Sequence, residues 1–210
     1  AAASSSSPRV GAGGLVLHID VDAYFVQCHQ VPPPRNSAAQ FCGAILRNSA
    51  QFSDGLAPSP RQVEEPRKYP RGKALAVQQH DDIIAANHFA KALGVRKRTA
   101  PAEARSIFSK AGVKPGLVHV PTEPTAGRVT YALYRRHSAR LAALWRRLAT
   151  AAHAGAVVEA HASSLDEVWI DTGTADAAAA QRLAEDLRRA SRDELGFDVS
   201  VGVGRNKSAA

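Results

Sequence analysis

Two groups of carboxylates stand beside apolar stretches in this sequence. Asp20 ends the stretch "LVLHID", and Asp166 and Glu167 open the stretch "DEVWID". Burying a carboxylate at the end of a strand is energetically unfavourable unless a positive group compensates its charge. If the fold brings the three side chains together they repel one another, and bound cations would relieve that repulsion. A set of ligands made only of oxygen atoms suits magnesium. The phosphates of a substrate can complete the octahedral coordination of that ion.

Each group also has a simpler interpretation. Asp20 or Asp22 would cap a helix that begins near Val21, because an aspartate there accepts hydrogen bonds from the first free N–H groups. An Asp-Glu pair in a hairpin is more often part of a solvated turn than of a metal site. The spacing alone leaves the metal site and these structural roles open.

The elements around these carboxylates follow from the periodicity of apolar residues. Strands are predicted over 15–20, 73–79, 82–86, 117–120, 156–162, 165–171 and 198–204. Helices are predicted over 21–31, 87–93, 99–110 (capped by Thr99), 125–150 and 177–195, and a further helix is expected to begin at 205. The inner stripe expected of the longest helix consists of Tyr131, Tyr134, Ser138, Leu141, Trp145 and Leu148.

The order of these elements predicts an α+β fold. Once the section from about 35 to 120 is removed, the remainder is a βαββαβ unit, the ferredoxin-like motif. In that motif the first strand and the later hairpin share a sheet, so Asp20, Asp166 and Glu167 would converge on one face. The predicted parts are a disordered N-terminus at 1–14, a main domain at 15–34 and 117–210, an inserted flexible loop at 35–72 and a small α/β lobe at 73–116.

Composition restricts the partners and the compartment. The 210 residues carry a net charge of +8, which favours a polyanion such as nucleic acid, an anionic membrane face or a phosphorylated substrate. Cys28 and Cys42 form no C-x-x-C pair, which argues against a zinc site and against a disulfide scaffold. The N-terminus lacks the apolar core of a signal peptide, and no apolar run is long enough for a transmembrane helix.

Five segments together resemble Y-family DNA polymerases. "LHIDVDAYFVQCHQ" is similar to the opening of that family, and "ASSLDEVWID" to its second carboxylate motif. "VSVGVGRNK" resembles its Ser-x-Gly segment ending in Asn-Lys, "ALAVQQHDDIIAANHFAKALGVRKR" its fingers, and "YRRHSARL" the start of its long palm helix. The order and spacing of these segments match the family over 15–210, apart from the insertion at 35–72. The main domain therefore resembles the palm of the family, and the small lobe resembles its fingers.

The resemblance implies a role for each matching residue. Asp20, Asp166 and Glu167 correspond to the catalytic carboxylates that hold the metal ions, and the backbone carbonyl of Val21 to a further ligand. Phe25 corresponds to the aromatic steric gate that stacks under the incoming sugar and excludes a 2′-hydroxyl.

The resemblance also implies contacts with the nucleotide and the DNA. The residues that it places near the nucleotide are Tyr24, the neighbour of the gate, and Gln79, His88, Lys91 and Lys97. His88 and Lys91 stand where the family usually has Tyr and Arg, and Lys91 keeps the charge but loses the bidentate fork. Lys97 corresponds to an arginine of the fingers in the family, and Arg98 would correspond to it instead if the alignment shifted by one residue. Lys207 corresponds to the lysine of the Asn-Lys pair, with a DNA-contacting or structural role.

The implied activity is template-directed DNA synthesis of the translesion type, supported by two magnesium ions or by manganese. The implied partners are primed template DNA, deoxynucleoside triphosphates, the sliding clamp and other translesion factors, with no membrane partner. The iota and eta branches fit equally, which implies a nuclear protein. Family members continue into a thumb and a C-terminal DNA-binding domain, so we expect this chain to be a fragment containing only the N-terminal palm and fingers.

Two other functions remain open at this stage. The chain could be a non-catalytic, basic module that binds nucleic acid or protein and retains the palm as a scaffold. An apolar strand followed by Asp-x-Asp is also the nucleophile motif of haloacid-dehalogenase phosphatases. That family has Thr or Val at the position where this chain has Tyr24.

Overall fold

The structure, a computed structural model, describes residues 14–31, 69–114, 116–124, 126–160 and 164–210. Among these residues the strands are β1 (Val16–Val21), β2 (Ala76–Gln79), β3 (Asp82–Ala86), β4 (Leu117–His119), β5 (Val157–Ala160), β6 (Glu167–Asp171) and β7 (Val199–Gly204). The helices are α1 (Tyr24–Gln30), α2 (His88–Ala92), α3 (Pro101–Lys110), α4 (Ala132–Ala152) and α5 (Ala177–Ala190), which a π-helical turn, Ser191–Leu195, extends. Nearly all of the predicted disordered terminus at 1–14 and loop at 35–72 lies outside the described residues.

The main sheet has the ferredoxin-like strand order β5-β6-β1-β7. Every neighbouring pair in it is antiparallel. The predicted α+β class and ferredoxin-like palm are therefore confirmed, and β1 lies in the middle of the sheet between β6 and β7.

The two faces of β1 differ because successive side chains of a strand point to opposite sides. Leu17, Ile19 and Val21 are at most 2% exposed and belong to a core that α1, α4 and α5 cover. His18 and Asp20 lie on the other face and are partly exposed. The helices thus cover one face of the sheet and leave the carboxylate face accessible.

A second sheet with the order β3-β2-β4 forms the small lobe. Val77 of β2 joins the main core, whereas Ala76 packs with Ile83 and Phe108 in a separate cluster beneath α2 and α3. The lobe is therefore attached to the main domain through β2. Strand β4 pairs in parallel with β2, so the predicted palm range of 117–210 has to be corrected: its first strand belongs to the small lobe.

Helix α4 begins at Ala132 rather than at 125. The preceding residues form a looped-back segment instead, in which Thr122 and Val129 make an isolated bridge and the Thr130 N–H donates to the Pro121 carbonyl at 2.7 Å. From the predicted stripe, Tyr134, Leu141 and Trp145 are buried, together with His137, Leu144 and Ala149, while Ser138 and Leu148 are half-buried.

Two predicted helix starts also differ from the structure. The N-cap of α3 is Ala100, and the hydroxyl of Thr99 instead accepts a hydrogen bond from the Arg96 N–H. Residues 205–210 form turns rather than a helix, although Asn206 accepts from the N–H groups of Ser208 and Ala209 as a cap would. No helix of the described residues is both long and apolar enough to cross a membrane.

Candidate active site

The strand register brings the two groups of carboxylates to one edge of the main sheet. Asp20 of β1 lies opposite Glu167 of β6 and opposite Ser200 of β7. The Val21 N–H donates to the Asp166 carbonyl at 3.2 Å, which places Asp166 beside the end of β1. The backbone therefore brings Asp20 beside Asp166 and Glu167, which lie almost 150 residues further along the sequence.

The electrostatics of Asp20 reflect this crowding. Burial raises the pKa of its carboxyl above the usual value, and the negative charges of Asp166 and Glu167 raise it further. The described residues include no Lys or Arg that forms an ion pair with any of the three carboxylates. The cluster thus carries negative charge that a bound cation would stabilise.

The helix-cap interpretation of Asp20 and Asp22 is wrong. Helix α1 begins at Tyr24, and its N-cap is Ala23, which makes no side-chain cap and has a left-handed conformation with φ of 47°. The Asp22 carboxylate accepts a hydrogen bond from the Ser200 hydroxyl at 2.8 Å instead. Asp20 lies within β1, too far from the helix start to cap it.

Gln27 holds the turn between β1 and α1, a role that no pattern in the sequence indicates. Its amide nitrogen donates to the carbonyls of Asp22 at 2.5 Å and of Asp198 at 2.8 Å. Its amide oxygen accepts from the Asp198 N–H at 2.8 Å and from Arg71 at 3.2 Å. Gln27 itself is 7% exposed, and its hydrogen bonds are part-buried, so this side chain ties the turn after β1 to the start of β7.

The two aromatic residues after Asp22 have different environments. Phe25 is half-buried, and its ring meets that of Tyr134 edge-on, with 4.6 Å between the ring centroids. Tyr24 is 2% exposed, and its hydroxyl donates to the Tyr134 carbonyl. In this structure the side chain of Tyr24 is therefore part of the core, while Phe25 keeps an accessible surface.

The predicted nucleotide contacts of the small lobe lie on its surface. The half-buried Gln79 accepts a hydrogen bond from the hydroxyl of Tyr131, which joins the lobe to the start of α4. His88 is the first residue of α2, and Lys91 follows one turn later. Both side chains are exposed, as is that of Lys97.

An aromatic stack on the carboxylate face was missed from the sequence. The ring of His18 stacks on that of Trp169, with 4.0 Å between centroids, and Lys207 lies over Trp169 at 5.9 Å. The Nε2 of His18 is buried and has no hydrogen-bond partner among the described residues. The alternation of β1 does place His18 on the same face as Asp20, but pairing with Trp169 depends on the register of β6.

The donor set fits a hard divalent cation in its chemistry. Asp20, Asp166 and Glu167 supply only oxygen atoms, and Mg²⁺ prefers such ligands. The Ser164 hydroxyl, however, donates to Asp166 Oδ1 at 2.5 Å. No three His, Cys, Asp or Glu side chains of the described residues are grouped closely enough to hold an ion as they stand. Rotation of these side chains would have to complete the site.

The chain was compared with known proteins. Residues 59–210 match the impB/mucB/samB family. The crystal structure of DinB from Sulfolobus solfataricus superposes with a TM-score of 0.57 at 20% sequence identity, covering 93% of this chain and 43% of that one. A ternary complex of Dbh gives a TM-score of 0.58 at 20% identity, covering 92% and 42%, and a Y-family DNA polymerase chimera of Dbh and Dpo4 gives 0.57 at 19% identity, covering 90% and 42%.

These solved structures establish a shared fold, and the chain spans less than half of their length. Comparison with curated protein sequences gives no match. The family match covers well over half of the chain and includes Asp166, Glu167 and the small lobe. The chain belongs to the impB/mucB/samB family.

Proposed function

We propose that this chain is the palm and fingers part of a template-directed DNA polymerase of the translesion type. The observation that carries the proposal is the strand register that sets Asp20 against Glu167, with Asp166 beside them and no cation paired to them in the described residues. Such a polymerase joins the primer 3′-hydroxyl oxygen to the α-phosphorus of a deoxynucleotide, and pyrophosphate leaves. Phe25 would lie against the sugar as the steric gate.

Asp20, Asp166, Glu167 and the backbone carbonyl of Val21 would hold two magnesium ions, or manganese ions in their place. When bound, such ions activate an attacking hydroxyl and stabilise the leaving pyrophosphate. The contribution of the chain is to hold the carboxylates at neighbouring register positions. The Gln27 network supports this by fixing the turn that follows Asp22.

On the nucleotide side, His88, Lys91 and Lys97 would contact the triphosphate, with Gln79 near the templating base. Lys91 supplies a point charge where a guanidinium would supply a planar fork. We expect Lys91→Arg to tighten nucleotide binding, since the arginine can donate two parallel hydrogen bonds to one phosphate. Primed DNA, the sliding clamp and other translesion factors would be partners in the nucleus.

The first experiment uses the 210-residue chain and calorimetric titration with a deoxynucleoside triphosphate, with and without Mg²⁺. The proposal predicts binding that depends on Mg²⁺ and that Asp20→Asn abolishes. The matched control is Asp81→Asn, which removes an exposed carboxylate of the small lobe and should leave binding unchanged.

The second experiment measures primer extension by a protein that joins this chain to a thumb and a C-terminal domain of the family. Extension that Asp20→Asn eliminates supports the polymerase. A chain that binds DNA but binds no nucleotide in the presence of Mg²⁺ would instead be the non-catalytic module, and a stable acyl-phosphate on Asp20 would indicate a phosphatase.

A further inference from the structure

Tyr131 connects the main domain to the small lobe. It is the N-cap residue of α4, and its side chain is half-buried. Its phenol hydroxyl donates a hydrogen bond to the amide oxygen of Gln79, which is the last residue of β2. The two residues lie 52 positions apart in the sequence, so the fold brings them together. This hydrogen bond holds the Tyr131 ring at the junction between the two parts of the chain.

The ring of Tyr131 also meets that of Phe25. Their centroids are 6.2 Å apart and their planes are at 72°, an edge-on arrangement that aromatic rings favour. Tyr24 and Tyr134 meet Phe25 edge-on as well, with 5.7 Å and 4.6 Å between centroids. Tyr131 and Tyr134 are themselves 5.8 Å apart. Phe25 therefore lies in a cluster of four rings, to which Tyr131 contributes from the side of the small lobe.

The three aromatic neighbours of Phe25 are held in different ways. Tyr24 and Tyr134 are buried, and the Tyr24 hydroxyl donates to the Tyr134 carbonyl. Tyr131 is half-buried and depends on Gln79 for its hydrogen bond. The side chain of Phe25 has no polar atom, so packing against these rings, and not hydrogen bonding, determines where it lies. A change at Tyr131 can therefore move Phe25 while the buried pair stays in place.

The position of the Phe25 ring decides which sugar fits beside it. A 2′-hydroxyl adds a single oxygen atom to the sugar, so a ring excludes it only by occupying the space that this atom needs. A displacement of about 1 Å can change a rate on the order of a hundredfold where geometry is decisive. A residue that holds the ring in place then contributes to sugar selection without touching the nucleotide.

We propose that Tyr131 is a positioning residue for sugar selection: anchored by Gln79, it holds Phe25 where the ring excludes a 2′-hydroxyl. This inference rests on the proposed function, because Phe25 selects a sugar only if the chain binds nucleotides as proposed. It adds a contact between the small lobe and the ring, and it assigns Tyr131 no contact with metal or phosphate.

The test uses calorimetric titration of the 210-residue chain, in the presence of Mg²⁺, with a deoxynucleoside triphosphate and with the ribonucleoside triphosphate of the same base. The quantity compared is the ratio of the two dissociation constants. Tyr131→Phe keeps the ring but loses the hydrogen bond to Gln79, and it should reduce the discrimination roughly threefold. Tyr131→Leu loses the ring as well and should reduce it roughly tenfold. In both variants the ratio should change because ribonucleotide binding becomes tighter.

Two further combinations separate positioning from a general structural effect. Gln79→Leu breaks the same hydrogen bond as Tyr131→Phe, so the double variant should discriminate no less than either single variant. In a Phe25→Ala background, Tyr131→Leu should leave the ratio unchanged, because Tyr131 acts through the Phe25 ring. The matched control is Tyr69→Phe, which removes a hydroxyl from another half-buried tyrosine, one whose ring meets that of His29, and should leave discrimination at the parent value.

Parent-like discrimination in Tyr131→Phe and Tyr131→Leu would overturn the inference, as would an equal loss in the Phe25→Ala background. Thermal melting checks that the variants fold, and Tyr131→Phe, which loses one hydroxyl, decides the matter if Tyr131→Leu does not fold. A parent chain that binds neither nucleotide in the presence of Mg²⁺ would refute the proposed function and this inference with it. A parent chain that discriminates, with Tyr131 variants that discriminate equally well, would refute the inference alone.

Discussion

The two faces of strand β1 have opposite properties although their residues alternate along one short segment. Leu17, Ile19 and Val21 are packed beneath the helices and make no polar side-chain contact. His18 and Asp20 face a ring stack and a group of carboxylates. The comparison shows that one strand can supply core residues on one face and candidate site residues on the other. Successive side chains of a strand point to opposite sides, so neighbouring residues enter different environments. Substitutions on the two faces should therefore change different measurements.

The largest effect is expected on the carboxylate face. In a polymerase that contains this chain, Asp20→Asn should lower the rate of primer extension roughly a thousandfold or more, about 4 kcal/mol of transition-state stabilisation, because a charge that supports the metal is lost. The free energy of unfolding should stay equal or rise, since Asp166 and Glu167 repel the Asp20 carboxylate. Single-turnover extension and urea unfolding check the two quantities. Parent-like extension by Asp20→Asn/Glu167→Gln would refute the assignment.

On the covered face the expected effect is structural. Ile19 is fully buried, so Ile19→Ala should lower the free energy of unfolding by about 3 kcal/mol through lost burial and the cavity left behind. Ile107→Ala is the matched control, because Ile107 is half-buried in the small lobe and should cost less. Urea unfolding measures both. A larger loss in the control would mean that the small lobe, not the helix-covered face, dominates stability.

The helix layer should also make stability depend on pH. Burial, followed by the charges of Arg140, Arg136 and His29, lowers the pKa of His137 to about 4. In the unfolded chain a histidine titrates near 6.5, so the unfolded state binds the proton more readily between those values. The stabilisation is therefore complete above about pH 6.5 and is lost as the pH falls towards about 4, by roughly 3 kcal/mol.

His137→Leu tests this pH dependence, since Nδ1 of His137 has no hydrogen-bond partner among the described residues and an apolar replacement leaves no new polar group unpaired. The difference in unfolding free energy between about pH 7 and about pH 5 should shrink in this variant. A parent-like difference would assign the pH dependence to other groups.

The smallest effect is expected at the ring stack of the carboxylate face. Lys207 lies over Trp169, and an exposed cation–π contact contributes about 0.5–1 kcal/mol. Lys207→Gln should lower the free energy of unfolding by no more than that amount, while Lys97→Gln, at an exposed site of the small lobe, should leave it unchanged. A loss comparable to that of Ile19→Ala would contradict the division of roles between the two faces.

Local patterns in the sequence determined much of this protein. The apolar run in "LVLHID" predicted a buried strand that ends at Asp20, and the order of strands and helices predicted the ferredoxin-like sheet. That sheet in turn predicted the meeting of Asp20 with Asp166 and Glu167. These inferences succeed because side-chain period and element order are properties of short segments and of their succession along the chain.

Only the tertiary structure decided what depends on contacts between distant segments. Gln27 looks like an ordinary polar residue of a helix, and only the fold shows that Asp198 lies beside it. Only the fold shows, likewise, that α4 covers the side chain of Tyr24. Similarly, β4 was assigned to the palm because nothing in three residues of strand shows which sheet they join. Strand pairing and burial depend on residues that are far away in sequence. The same residue type can therefore be exposed at the surface or buried between two segments, according to what packs against it.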